Sequence, residues 1–189
     1  MQLAYTHISV EDYLKFEEIS EIRHEYLAGE IFAMSGGSEE HNQIAGNIYI
    51  RLINHLRGSG CKTFIADMKV KIEIANRTAD LFYYPDVMVT CDSQDREKYY
   101  KTDPCLIVEV LSPSTANLDK REKRLNYQSL PSLQEYVLVS QDQAMVEIYR
   151  QNQLVDWYSE VFQIGDQLNL QSVGLTMAIA DIYEDVLLL

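Results

Sequence analysis

The sequence has no run of 18 consecutive apolar residues, so no segment reads as a membrane-spanning helix. It opens MQLAYTHISVEDYLKFEE, with no basic leader ahead of an apolar core, and so carries no sign of a secretory signal. Cysteine is scarce and odd in number: Cys61, Cys91 and Cys105, with no pair at C-x-x-C spacing. Neither a disulfide framework nor a zinc site is suggested. A reducing cytoplasm is the expected setting. His7, His24 and His55 show no metal-ligand spacing. Walker A, G-x-G-x-x-G and G-x-S-x-G patterns are missing too, which removes support for nucleotide binding and for α/β-hydrolase chemistry. Basic residues are outnumbered: 16 Lys and Arg stand against 29 Asp and Glu, a formal net charge of -13. Such a chain repels polyanions at long range and lacks the overall basic footprint of a nucleic-acid binder, leaving room only for a local basic patch. No repeat, low-complexity tract or linker divides the 189 residues, which read as a single domain, 1–189, with a sizeable core.

What is there is a succession of short elements. Ser9-Val10-Glu11-Asp12 has the form of a helix N-cap, and predicts a helix over roughly 10–18. Ile22 to Leu27, Ala28-Gly29, and Glu30 to Met34 read as strand, tight turn and strand. Ser38, followed by Glu39 and Glu40 in a first turn that favours acids, starts the longest predicted helix. Its apolar stripe of Ile44, Ala45, Ile48, Leu52 and Leu56 should cover one face of a sheet. Cys61 to Ala66 is a candidate strand. Met68 to Ile74 alternates, with Lys69, Lys71 and Glu73 on the polar side. A helix is expected over 118–129, with Asp119 to Glu122 spaced as a capping box and Pro131 as its limit. Glu135 to Val139 reads as a strand. Ala144 to Arg150 and Val155 to Val161 alternate like a C-terminal hairpin, and Ala178 to Val186 reads as a closing helix.

Two strands carry the chemistry. Tyr84-Pro85-Asp86-Val87-Met88-Val89 and Cys105-Leu106-Ile107-Val108-Glu109-Val110-Leu111 are apolar runs holding one carboxylate each. Burying an unpaired carboxylate is costly, so Glu109 must face solvent, meet a cation or be neutral. Asp86 and Glu109 on adjacent strands make a candidate divalent-metal pair. The bland alternative is that each faces solvent. Lys123 shares a helix face with Asp119 and Tyr127, at i, i+4 and i+8. A helix packed back on its strand would bring Lys123 toward Glu109; otherwise it is a solvated lysine beside Asp119. Lys120, Arg121, Lys123 and Arg124 splay around the helix, so only part of the set can face one substrate. Lys98 and Lys101 are further candidates for that patch.

The stretches HEYLAGEIFAMSGGSEEHNQI, YYPDVMV and LIVEVLSPST, with Asp119 to Lys123 and Tyr127, resemble the Uma-two (Uma2) family of restriction-endonuclease-like proteins. The resemblance covers about 22–140. It implies an α/β PD-(D/E)XK nuclease fold, a central mixed β-sheet flanked by α-helices, with an N-terminal and a C-terminal hairpin. It implies an Mg²⁺- or Mn²⁺-dependent endonuclease acting on DNA. Pro85-Asp86 matches the family's PD and Glu109 its second acid, and the backbone carbonyl of Val110 would add a metal ligand. The position two after Glu109 is Leu111, so the usual E-x-K is absent, and the resemblance assigns the lysine to Lys123 on the following helix. Glu25 and His41 match recurring family positions, as assisting groups near the metal or its water. Asp67 is a weaker candidate. Many folds of this type dimerise, so a homodimer is expected. The alternative is a catalytically silent nuclease-fold protein that binds nucleic acid or another protein.

Overall fold

The computed structural model describes residues 7–74, 79–112, 119–152 and 156–188, and the side chains of all of these except 119 and 120. The chain begins with α1 (Val10–Ile19), whose N-cap Ser9 accepts the Asp12 N–H at 3.1 Å. A hairpin follows, β1 (His24–Leu27) and β2 (Glu30–Ala33). Its turn residues Ala28 and Gly29 have φ of 51° and 101°, a conformation that selects glycine; a Cβ on Gly29 would also lie 2.3 Å from the His7 ring. Then come α2 (Glu39–His55), β3 (Lys62–Ile65), β4 (Lys69–Ile74), β5 (Ala79–Tyr83), β6 (Val87–Thr90), the short β7 (Tyr100–Lys101) and β8 (Pro104–Leu111). A π-helical turn, Asp119–Lys123, runs directly into α3 (Arg124–Tyr127). The chain closes with β9 (Glu135–Ser140), β10 (Met145–Gln151), β11 (Trp157–Gln163), β12 (Gln167–Leu170), β13 (Leu175–Ala178) and α4 (Ile179–Ile182).

This is the mixed α/β fold expected, and its strands form two principal sheets. One has the order β2-β1-β5-β4-β7, the other β11-β10-β9-β8-β6-β3, and β12-β13 stand apart as a pair. Most neighbours are antiparallel; β8 and β9 are parallel, joined by the crossover that contains α3. The six-stranded sheet is covered on both faces, which is why β6 and β8 read as continuous apolar runs. Leu106, Val108 and Val110 of β8 pack with Ile44, Ile48 and Leu52 of α2 and with Ile179 and Ile182 of α4. Ile107 and Leu111 turn the other way, toward Val70 and Ile72 of the five-stranded sheet and Tyr127 at the end of α3.

Three expectations are corrected. The helix over 118–129 is wider and shorter. After α3 the chain unwinds through i→i+3 bonds, Ser129 N–H to the Asn126 carbonyl and Leu130 N–H to that of Tyr127, which turns Leu130 and Leu133 into the core. The closing helix spans only Ile179–Ile182, because Leu175–Ala178 is held as a strand against β12 and Asp185 takes a left-handed φ of 58°. Most consequentially, Cys61 and Cys91 form a disulfide. The β3–β6 register pairs Lys62 with Thr90, so the next residues outward face each other across the strands, a proximity that spacing along the chain does not reveal. The reading of a chain without disulfides, and the argument for a reducing compartment drawn from it, are thereby corrected. Cys105 remains a buried thiol, its Sγ 3.8 Å from that of Cys91, and burial pushes its pKa up to about 11. Pro113, Ser114 and Thr115, the end of the LIVEVLSPST stretch, lie outside the described residues. No helix among the described residues is long and apolar enough to cross a membrane.

Two outcomes are expected. The unreduced protein, unfolded and alkylated, should expose one thiol, Cys105; reduction should expose three and lower stability by about 2–4 kcal/mol. Three thiols before reduction would contradict the disulfide. Burial also raises the phenol pKa of Tyr13, Tyr84, Tyr127 and Tyr183, and pushes Tyr83 up to about 12. Above about pH 10 the unfolded chain releases these protons and the folded chain keeps them. Stability is therefore fully present below that pH and falls above it, by up to about 1.4 kcal/mol per pH unit for each such phenol. Urea midpoints that stay level through about pH 11 would contradict this.

Candidate active site

Glu109 sits in the middle of β8, where all eight residues are buried, and it is only 4% exposed. Strand alternation puts its side chain in the row of Ile107 and Leu111, an apolar surface. The carboxylate is met there by two groups from the crossover. The Tyr127 hydroxyl donates to Oε1 at 2.8 Å, and the Lys123 ammonium lies 3.8 Å from the same oxygen. Burial first, and the Glu109 charge second, push the Tyr127 pKa far up, so the phenol stays protonated and remains a donor. Lys123 is itself buried and pairs with Glu25 Oε1 of β1 at 2.8 Å, with its ammonium 5.4 Å from the Tyr83 ring centre. One ammonium thus stands between carboxylates of the two sheets.

Asp86, immediately before β6, is oriented through both of its oxygens. Oδ2 accepts the Val110 N–H at 2.7 Å, and Oδ1 lies 2.9 Å from His41 Nε2. The β6–β8 pairing reaches Val87 and Val108, so Val110 lies past the end of β6. In an extended strand the N–H and C=O of one residue point to the same side. The Val110 carbonyl therefore faces the side on which its N–H meets Asp86. His41 is placed by the start of α2. The Ser38 hydroxyl accepts the His41 N–H at 3.2 Å, and Gly37 packs on the ring so closely that a Cβ there would lie 2.9 Å from His41 Cδ2.

These groups line one cavity of about 460 Å³: Glu25, His41, Asp86, Glu109, Val110 and Lys123, with Phe32 and Gln141 on its walls. Three carboxylates face one lysine in it, so the cleft carries an excess of negative charge that a cation would relieve. The oxygen donors, carboxylates and the Val110 carbonyl, are of the kind that suits Mg²⁺ or Mn²⁺. Among the described residues no three His, Cys, Asp or Glu side chains come close enough to enclose an ion by themselves. Magnesium keeps several waters and takes one or two carboxylates, so it does not need a full protein cage. The donor set fits the ion.

The remaining candidates lie elsewhere. Asp67 is exposed and pairs with Arg23 at 2.8 Å. Lys101 is buried and donates to the carbonyl of Asp95 at 3.0 Å, and Lys98 lies over the Tyr99 ring. Of the four helix cations, Lys123 is in the cleft, Arg124 stacks over Tyr149 and Arg121 is exposed. The side chain of Lys120 lies outside the described residues. The structure also brings in groups that the sequence did not single out. Tyr84 lines the cleft; its hydroxyl donates to buried Glu17 of α1 and accepts from Lys69 Nζ at 3.1 Å. Burial lowers the Lys69 pKa. Glu17 also accepts the His24 N–H at 3.3 Å and lies 2.9 Å from His24 Nδ1, which latches α1 to the hairpin that carries Glu25. The one signal of Tyr84 in the sequence is its place before Pro85-Asp86.

Comparison with known proteins places the chain in a family. The model of the family described as Uma2, "Putative restriction endonuclease", matches residues 10–180. "Uncharacterized protein slr1290" of Synechocystis sp. is 41% identical over 177 residues, 93% of this chain and 91% of that protein. "Uncharacterized protein sll1609" of the same organism is 34% identical over 146 residues, 76% of this chain and 80% of that protein. The crystal structure of a "putative nuclease belonging to DUF820" from Anabaena variabilis superposes with a TM-score of 0.77 at 19% identity, covering 95% of this chain and 99% of that one. At that identity the superposition speaks for the fold alone. The chain belongs to the Uma2 family of restriction-endonuclease-like proteins.

Proposed function

We propose that the protein is a metal-dependent endonuclease that hydrolyses DNA phosphodiester bonds. The observation that carries this reading is the convergence of Asp86, Glu109, Glu25, His41 and Lys123, drawn from distant parts of the chain, on one cavity with excess negative charge. Asp86, Glu109 and the Val110 carbonyl would hold Mg²⁺ or Mn²⁺. Bound there, the ion would lower the pKa of a water and offset charge on the scissile phosphate. Lys123 orients the attacking water and stabilises the negative charge that grows on the phosphate oxygens. Glu25, through its 2.8 Å ion pair, sets the direction of that ammonium. His41 holds Asp86 and can take up or release a proton at its imidazole. We propose the cytoplasm as the setting on the ground of the proposed DNA substrate alone, since the Cys61–Cys91 disulfide does not argue for it. We also propose a homodimer, with the exposed Leu187 near its interface.

Calorimetric titration of Mg²⁺ and Mn²⁺, paired with nicking assays on supercoiled and linear DNA, tests this. The wild type should bind metal and nick; Asp86→Asn/Glu109→Gln should do neither. Lys123→Met should keep metal binding and lose roughly 10²–10³ in rate, whereas Lys123→Arg retains the charge and part of the rate. Metal binding without cleavage would favour the alternative, a catalytically silent module that binds nucleic acid or a partner protein. No metal binding at millimolar concentrations would remove the metal site.

A further inference from the structure

The hairpin that carries Glu25 also carries an aromatic ring into the cleft. In the β1–β2 register Phe32 lies directly opposite Glu25, so the two side chains share one face. Phe32 is on the outer strand of its sheet, lines the cavity and is 46% exposed. It belongs to none of the buried apolar clusters among the described residues. A large apolar ring is thus held in water beside a charged site.

The cations around the cleft make that ring significant. Lys123 is occupied with Glu25 and Glu109, and Lys69 with Tyr84. Arg23 is occupied with Asp67 and the Ala66 carbonyl, and Arg124 with the Tyr149 ring. Binding an intact duplex relies on exposed lysines and arginines that track its phosphates. On a chain of net charge -13, with these side chains engaged by the protein itself and Arg121 the exposed cation among the described side chains of 121–127, phosphate contacts are few and a second source of affinity is called for. An exposed aromatic supplies one, because every base has a face that can stack on it. The cavity, about 460 Å³, is of the size that encloses one small-molecule-sized group, such as a single nucleotide. Gln141, also on its wall, accepts from the Ser38 hydroxyl at 3.4 Å with its amide oxygen and offers its amide N–H groups to an acceptor on a base edge that pairing has not consumed.

We propose that the nucleotide at the site is unpaired and stacks its base on Phe32, which makes the preferred substrate single-stranded DNA or a frayed end or flap. The inference rests on the nuclease reading for its substrate class, but its test is a binding measurement. Fluorescence anisotropy of a labelled single strand and of the same strand in a blunt duplex is read on the full-length protein. Ca²⁺ replaces Mg²⁺, so that binding is recorded without turnover. The single strand should bind at least about tenfold more tightly than the duplex. Phe32→Ala should lose roughly tenfold on the single strand and little on the duplex, and Phe32→Trp should restore the difference. Phe32 is exposed, so circular dichroism should find both variants folded. Equal affinity for the two DNAs, a Phe32→Ala affinity within about twofold of wild type, or no binding of either DNA overturns the proposal. Cleavage in Mg²⁺ without strand preference would leave the nuclease reading standing and this one refuted. Phe32-dependent binding without cleavage would do the reverse.

Discussion

The Lys123 ammonium joins the two halves of the fold. It pairs with Glu25 of the five-stranded sheet at 2.8 Å and lies 3.8 Å from Glu109 of the six-stranded one. None of the three is comfortable alone, since a buried charge without a partner is strongly destabilising. Together they require β1, β8 and the crossover after β8 to sit in one arrangement. The π-helical turn fits this requirement: it carries Lys123 at its end and leads directly to Tyr127, so both side chains reach Glu109. The same contacts that reconcile buried charges in the fold collect the groups of the proposed chemistry.

Asp86 makes a second joint. Its two oxygens tie the β8 backbone, through the Val110 N–H, to the first turn of α2, through His41. The turn is fixed by the Ser38 cap and by the contact of Gly37 with the imidazole. Both carboxylates of the proposed metal pair therefore have their orientation set by packed elements, which is the precondition for a site that works by positioning. The polar links run outward as well: Tyr84 beside Asp86 reaches Glu17, and Glu17 holds α1 on the hairpin of Glu25.

Much of this is legible in the sequence because local rules govern it. The caps at Ser9 and Ser38 act within three residues, and the type of turn at Ala28-Gly29 follows from backbone sterics. Asp86 and Glu109 stand out because a carboxylate in an apolar strand demands a partner. What is not legible depends on register and long-range packing. Cys61 and Cys91 meet only because β3 and β6 pair in one register. Glu135 and Arg150 read as ordinary strand residues, yet β9–β10 pairing sets them opposite each other, and Glu135 also accepts the backbone N–H groups of Gln171 and Ser172. The pairing of Phe32 with Glu25 follows from the two-residue turn at Ala28-Gly29, which fixes the register of a hairpin, but the place of Phe32 on the wall of the cleft depends on long-range packing. The expected helix of Lys123 is wrong in form but right in reach, because tertiary contacts to Glu109, not intrinsic propensity, decide how that segment winds.

The nuclease reading depends on Asp86 and Glu109 being a metal pair. Crystals soaked in Mn²⁺ and measured at the manganese edge would decide it directly. The expected result is an anomalous peak within coordinating distance of both carboxylates, which disappears in Glu109→Gln crystals treated identically. No peak at saturating Mn²⁺, or a peak only at surface acids while Asp86 stays bonded to His41 and Val110, would contradict it.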